Sequence, residues 1–244
     1  MASRGIQSRE IDQIIERQMR QWELGRSAQV NKEREAHLAA GKGEVIDYIT
    51  ISRERGSGGE QIAKILADLL KWQWYDREIL DRMAEDMKVH KSVVQSVDER
   101  TIGWIEDWLG PLCTGRSVGQ LSYYQHLAKI LLVIARHGQA IIVGRAAGLL
   151  LPRQRGLSVR VTAPFELRCE RYAQENQVGL KEAKGIVQKA DRAQRSFVRD
   201  MLNTDLWDCR HYDIVINTEK LTPKSSAKLI WRTLDQRRVG EEKL

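Results

Sequence analysis

The sequence of 244 residues predicts an α/β fold of three layers, a mostly parallel sheet with helices on both faces. Two observations carry this. Val45 to Ile51 is a β-branched run that ends in Arg53-Glu54-Arg55-Gly56-Ser57-Gly58-Gly59, and an amphipathic helix opens directly behind the glycines. More short apolar runs then alternate with helical stretches down to the C-terminus, the pattern of repeated βαβ units. A chain of this length buries a full core as one large domain or two small ones.

The elements follow in order. Residues 1–44 read as a helical extension, because Ile6, Ile11, Ile14, Ile15, Met19 and Trp22 fall at mixed three- and four-residue spacing. Ala39-Ala40-Gly41-Lys42-Gly43 breaks that pattern as a linker, so one α/β domain is expected over residues 45–244. The extension is expected to pack against that domain; a dimer contact and a partner site are the alternatives. Ile62, Ile65, Leu66, Leu69 and Leu70 line one face of the helix behind the glycines. Further strands are predicted at Trp72–Tyr75, Gln139–Val143, Leu157–Thr162 and Asp213–Ile216. A long helix, Val118 to His137, stops at Gly138, as a C-terminal glycine should stop it. Pro164 takes a first helical position with Glu166 in the first turn. Thr222-Pro223 repeats the signal for a last helix carrying Leu229, Ile230 and Leu234.

Composition narrows the function classes. Hydrophobic residues make up 42% and charged residues 30%, which excludes a disordered chain. No apolar run approaches the roughly 20 residues that cross a bilayer; the run from Lys129 to Ala135 is cut by Arg136 and His137. Met1 to Arg20 has no apolar signal core. Cys113, Cys169 and Cys209 are widely spaced with no C-x-x-C, which argues against a disulfide framework or structural zinc and for the cytoplasm. The five histidines show no triad-like spacing, and no metal ligand is assigned. The net charge of +7 is uneven: residues 151–244 carry 19 Lys and Arg against 13 Asp and Glu. A localised excess favours a small anionic ligand, with a solvated face as the alternative.

A glycine turn between a strand and a helix offers consecutive backbone N–H groups at the helix's positive end, which suits a phosphate. Set against G-x-x-x-x-G-K-[ST], this turn has Arg53 at the first glycine, Gly59 at the lysine and Glu60 at the hydroxyl residue. A tight turn with no ligand is the alternative. The turn, with Trp74-Tyr75-Asp76-Arg77-Glu78-Ile79-Leu80, resembles the cytidylate kinase-like family of the P-loop nucleoside monophosphate kinases. Three later blocks agree in family order: Ala140-Ile141-Ile142-Val143-Gly144-Arg145, Val159-Arg160-Val161-Thr162-Ala163-Pro164, and Asp191-Arg192 with Arg195. The resemblance spans about residues 45–234 and implies the P-loop NTPase fold. True cytidylate kinases carry the P-loop lysine and Asp-Gly-Arg-Asp at the third strand's end; here these are Gly59 and Val143-Gly144-Arg145-Ala146.

The resemblance implies ATP at Gly56, Ser57, Gly58, Gly59, Glu60 and Gln61, together with Mg2+. It places Asp76, Arg77 and Arg145 at the acceptor's phosphate, each at the carboxyl end of a strand. For Asp76 a helix N-cap is the parallel reading. Arg53 could offer the missing lysine's charge from another direction, or be a surface arginine paired with Glu54 or Glu60. Lys181, Lys184, Gln188, Arg192, Arg195 and Arg199 recur at three- and four-residue spacing on one helix face. By resemblance Arg192, Arg195 and Arg199 close over transferring phosphates, with Asp191 orienting one of them; a solvated face suffices for Lys181 and Lys184. Trp104 and Trp108 are packing residues or line the acceptor pocket.

The expected activity is transfer of the ATP γ-phosphate to a nucleoside monophosphate such as CMP or dCMP. Catalysis would rest on positioning and charge neutralisation. The rival is a nucleotide-binding regulatory module of the same fold without turnover. Nucleic-acid binding lacks an aromatic-interleaved basic strand.

Overall fold

β1 (Tyr48–Arg53) begins three residues later and ends two residues later than the apolar run suggests, because Ser52 and Arg53 keep pairing with Arg160 and Val161. The computed structural model describes residues 11–17, 46–86 and 118–239. After β1 come α1 (Gly59–Leu70), β2 (Gln73–Tyr75), α2 (Arg77–Glu85), α3 (Val118–His137), β3 (Ala140–Val143) and the single turn α4 (Ala147–Leu150). Then follow β4 (Gly156–Thr162), α5 (Phe165–Asn176), α6 (Leu180–Leu202), β5 (Ile214–Asn217) and α7 (Pro223–Val239).

The five strands lie in the order β2-β3-β1-β4-β5, and every pair is parallel. β1 is therefore central and covered on both faces, which explains why Tyr48 to Ile51 are all buried. Successive residues alternate: Ile49 and Ile51 pack with α1 and α7 residues such as Ile62, Leu66 and Ile230. Tyr48 packs on the other face with Ile79, Met83, Leu131 and Ile134 of α2 and α3. A Cβ at Gly156 would come within 2.2 Å of the Tyr48 ring, so β4 opens on glycine to admit that ring.

Helical residues 11–17 bury Ile11 and Ile15 in this second cluster, so the described part of the extension packs on the core. The linker 39–43, Cys113 and the segment with Trp104 and Trp108 lie outside the described residues. Pro164 caps α5 one residue ahead of its expected helical position. α4 was not foreseen: four residues carry no periodicity. Among the described residues no helix is long and apolar enough to cross a membrane.

Candidate functional site

The turn between β1 and α1 has left-handed glycines at Gly56 and Gly58, φ +78° and +80°. Gly58 is the N-cap of α1, and no side chain caps that end, so its first N–H groups remain available to an anion. A Cβ at Gly58 would meet nothing nearer than Pro223 Cγ at 3.8 Å; the φ angle, not crowding, selects glycine. Gly59 is selected by crowding, since a Cβ there would lie 2.4 Å from Arg53 Cβ.

Arg53 thus runs across the position where a P-loop lysine would start. Its guanidinium reaches Gly144, where a Cβ would meet Nη1 at 2.9 Å, and pairs with Glu60 at 2.9 Å. Of the two readings of Arg53, the ion pair with Glu60 is present, and its guanidinium lies between the turn and Gly144. The other turn residues are engaged in structure. The Ser57 hydroxyl donates to the Glu54 carbonyl at 2.7 Å, and Gln61 donates to Glu175 at 2.8 Å.

Beneath the turn lies a buried ionic chain. Glu54 accepts from the Thr162 hydroxyl at 2.6 Å and stands 3.4 Å from both Arg160 and Arg168. Arg168 in turn donates to the carbonyls of Ala163 and Arg55, and grips Asp191 of α6 with two bonds of 3.0 and 2.9 Å. Two acids and two guanidiniums balance, which is what burial of such groups demands. One residue in the sequence signals it: Arg160 inside a buried strand requires an internal anion.

Asp191 therefore orients Arg168 of α5, not an arginine of its own helix. Gln194, one turn on, donates to the Arg53 carbonyl at 3.2 Å, so α6 is tied to the turn at two points. The stripe itself is exposed. Arg195 lies over the Trp207 ring at 4.9 Å, a ring that Arg160 also meets at 4.6 Å. Arg199 neighbours Asp200 at 3.8 Å and is solvated, away from the turn's contacts. Arg192 is exposed with no hydrogen bond or ion pair among the described residues.

A second cationic cluster sits at the ends of β2 and β3. Asp76 caps α2 by accepting from the Ile79 N–H at 2.9 Å, and burial pushes its carboxyl pKa up, with Glu60 adding to the rise. Arg145 follows Gly144 in a left-handed conformation, φ +49°, strain of the kind that collects at functional positions. Its guanidinium contacts Asp81 and lies over the Tyr123 and Phe197 rings at 5.9 and 5.5 Å. Arg77 approaches the same carboxylate at 3.7 Å, and the Tyr123 hydroxyl donates to it at 2.7 Å. Asp81 and Tyr123 were missed by sequence reasoning; only the four-residue step from Arg77 pointed to Asp81.

The residues that build this sheet and its glycine turn fall within the match of a family model. The model of the cytidylate kinase-like family covers residues 48–220. The chain belongs to that family. Members similar to it include the cytidylate kinase of Pyrococcus horikoshii, 27% identical over 101 residues, which are 41% of this chain and 52% of that protein. The chain thus spans about half the length of the first curated relative it matches. The cytidylate kinase of Methanocaldococcus jannaschii is 21% identical over 77% of this chain and 97% of its own. A crystal structure of a Eubacterium ventriosum protein superposes with a TM-score of 0.62 at 24% identity, covering 78% of this chain and 99% of that one. That likeness speaks to the fold.

This family member lacks the lysine yet keeps a cation at the turn, Arg53. Among the described residues no three His, Cys, Asp or Glu side chains form a ready-made metal cluster. Mg2+ needs only one or two carboxylates beside substrate phosphates. The carboxylates nearest the turn are already engaged: Glu60 pairs with Arg53 and Asp76 caps α2.

Proposed function

We propose that the chain transfers the γ-phosphoryl group of ATP to a nucleoside monophosphate, CMP or dCMP, within a kinase-like unit over residues 45–244 to which residues 1–44 are an extension. One observation carries the reading: the Arg53 guanidinium abuts Gly144, the residue before Arg145. The cation of the ATP turn and the cations of the acceptor end therefore adjoin across neighbouring strands. Phosphoryl transfer needs little more than two phosphates held in line with their charge neutralised.

In this reading the N–H groups of Gly56 to Gly59 and the start of α1 hold ATP phosphates, and Arg53 takes the lysine's part. Arg145 and Arg77 hold the acceptor phosphate, already anionic, so no general base is needed. Arg192 and Arg195 meet the transferring group from α6. Mg2+, held chiefly by the ATP phosphates, would supply charge neutralisation when bound. The reaction's ATP supply and the cysteine usage agree with a cytoplasmic setting.

The test is a split in Michaelis constants. Arg145→Ala should raise KM for CMP at least tenfold and leave KM for ATP within twofold; Arg53→Met should do the reverse or lower kcat. Equal shifts in both constants for Arg145→Ala would remove it from the acceptor site. The second reading, a regulatory module, draws on the Arg53–Glu60 pair, which neutralises the Arg53 charge at the turn. It predicts ATP binding without ADP release for any acceptor.

A further inference from the structure

The acceptor cluster contains a residue that a phosphate site does not need and that electrostatics says it should avoid. Asp81 sits between Arg145 and Arg77, its second oxygen accepting from Tyr123. Burial and Asp81 both hold the Tyr123 hydroxyl protonated, so the cluster balances at one positive charge rather than two. Arg145 lies within 5.9 and 5.5 Å of the Tyr123 and Phe197 ring centroids, and its buried Nε has no hydrogen-bond partner among the described residues, a donor still open to an anion.

We infer that Asp81 is a charge filter: it lets the Arg145–Arg77 site take a monophosphate and repels ligands carrying further phosphates. The inference rests on the acceptor-site reading above. A monophosphate brings at most two negative charges to the pair of guanidiniums. A diphosphate brings a third into the field of the same carboxylate, in a half-buried setting where like charges a few ångströms apart repel strongly. A kinase gains by this, because the product carries one phosphate more than the acceptor and is driven out by the charge that tolerated the substrate.

The experiment measures Kd for CMP and CDP by calorimetry, with the ATP site filled by ADP and Mg2+ withheld so that no phosphoryl group moves. The parent protein should bind CMP more tightly than CDP. Asp81→Asn keeps the shape and an acceptor for Arg145; it should tighten both ligands, CDP about tenfold more than CMP. Asp81→Glu should keep the parent's preference, and Asp81→Ser is the second neutral variant if the asparagine protein folds poorly. An unchanged CMP-to-CDP ratio in the neutral variants, or weaker binding of both ligands, would overturn the filter and make Asp81 a holder of Arg145. Arg145→Ala separates the two levels: if it binds CMP as the parent does, the acceptor-site reading itself fails. If it loses CMP while the ratio stays fixed in Asp81→Asn, only the filter fails.

Discussion

At the residue scale the site turns on which side chain occupies the space over Gly59. A lysine at 59 would collide with Arg53, whose Cβ and Cγ lie 2.4 and 2.8 Å from a Cβ there. Gly59→Lys alone should therefore destabilise by about 1–3 kcal/mol through overpacking. Adding Arg53→Gly, which restores the G-x-x-x-x-G-K spacing, should recover most of that loss in urea unfolding. Additive losses would mean that the two positions do not share the space. Asp76 offers a pH test. Its folded pKa is raised above 3.8, so the native state holds the proton longer than the unfolded chain and stability falls as pH rises through that interval. Asp76→Asn keeps the cap and removes this loss. Its stability relative to the parent should grow from pH 3 upward and then level off; a difference independent of pH would contradict the burial argument. Arg53, Gly58, Asp76 and Arg145 were legible because each lies at or just beyond the carboxyl end of a readable strand. Glu54, Asp81 and Arg168 were not, since their partners lie on other elements and are fixed by sheet order.

At the scale of elements, α6 is a strut rather than a free lid. Its periodicity was readable: Ala183, Val187 and Val198 are buried, while Lys181, Lys184, Arg192, Arg195 and Arg199 are exposed, as the spacing predicts. What periodicity could not show is that the boundary residues Asp191 and Gln194 fasten the helix to the turn. Asp191→Ala leaves the buried Arg168 with Glu54, which Arg160 shares, as its counter-charge, and should cost near the lower end of about 3–5 kcal/mol. Lys181→Ala should change stability by less than about 0.5 kcal/mol. Thermal unfolding of the two variants decides this; similar small effects would mean that the ionic chain bears little weight. For turnover, the geometry separates the stripe. Arg192→Ala should cut kcat roughly 10²-fold or more with ATP affinity little changed. Arg199→Ala, at a solvated position beside Asp200, should have little effect. Equal small effects at both positions would reduce the stripe to a solvated face.

For the whole molecule, the parallel order β2-β3-β1-β4-β5 puts Arg53, the glycine turn, Asp76 and Arg145 at the carboxyl end of one sheet. Runs of the type seen at Ile141–Val143 and Val159–Val161 announce buried parallel strands, which is why the fold class could be read without contacts. Strand order cannot be read that way, and it is strand order that sets β3 beside β1 and Arg145 beside Arg53. The account's central claim is transfer from ATP to a monophosphate across that junction. The most direct measurement follows ADP and CDP together in ATP and CMP by phosphorus NMR, for the parent protein and Arg145→Ala. The account predicts ADP and CDP in equal amounts from the parent, and a slower yield from Arg145→Ala that high CMP restores. ATP bound in the same sample with no ADP formed, from CMP, dCMP or any other monophosphate, would contradict it.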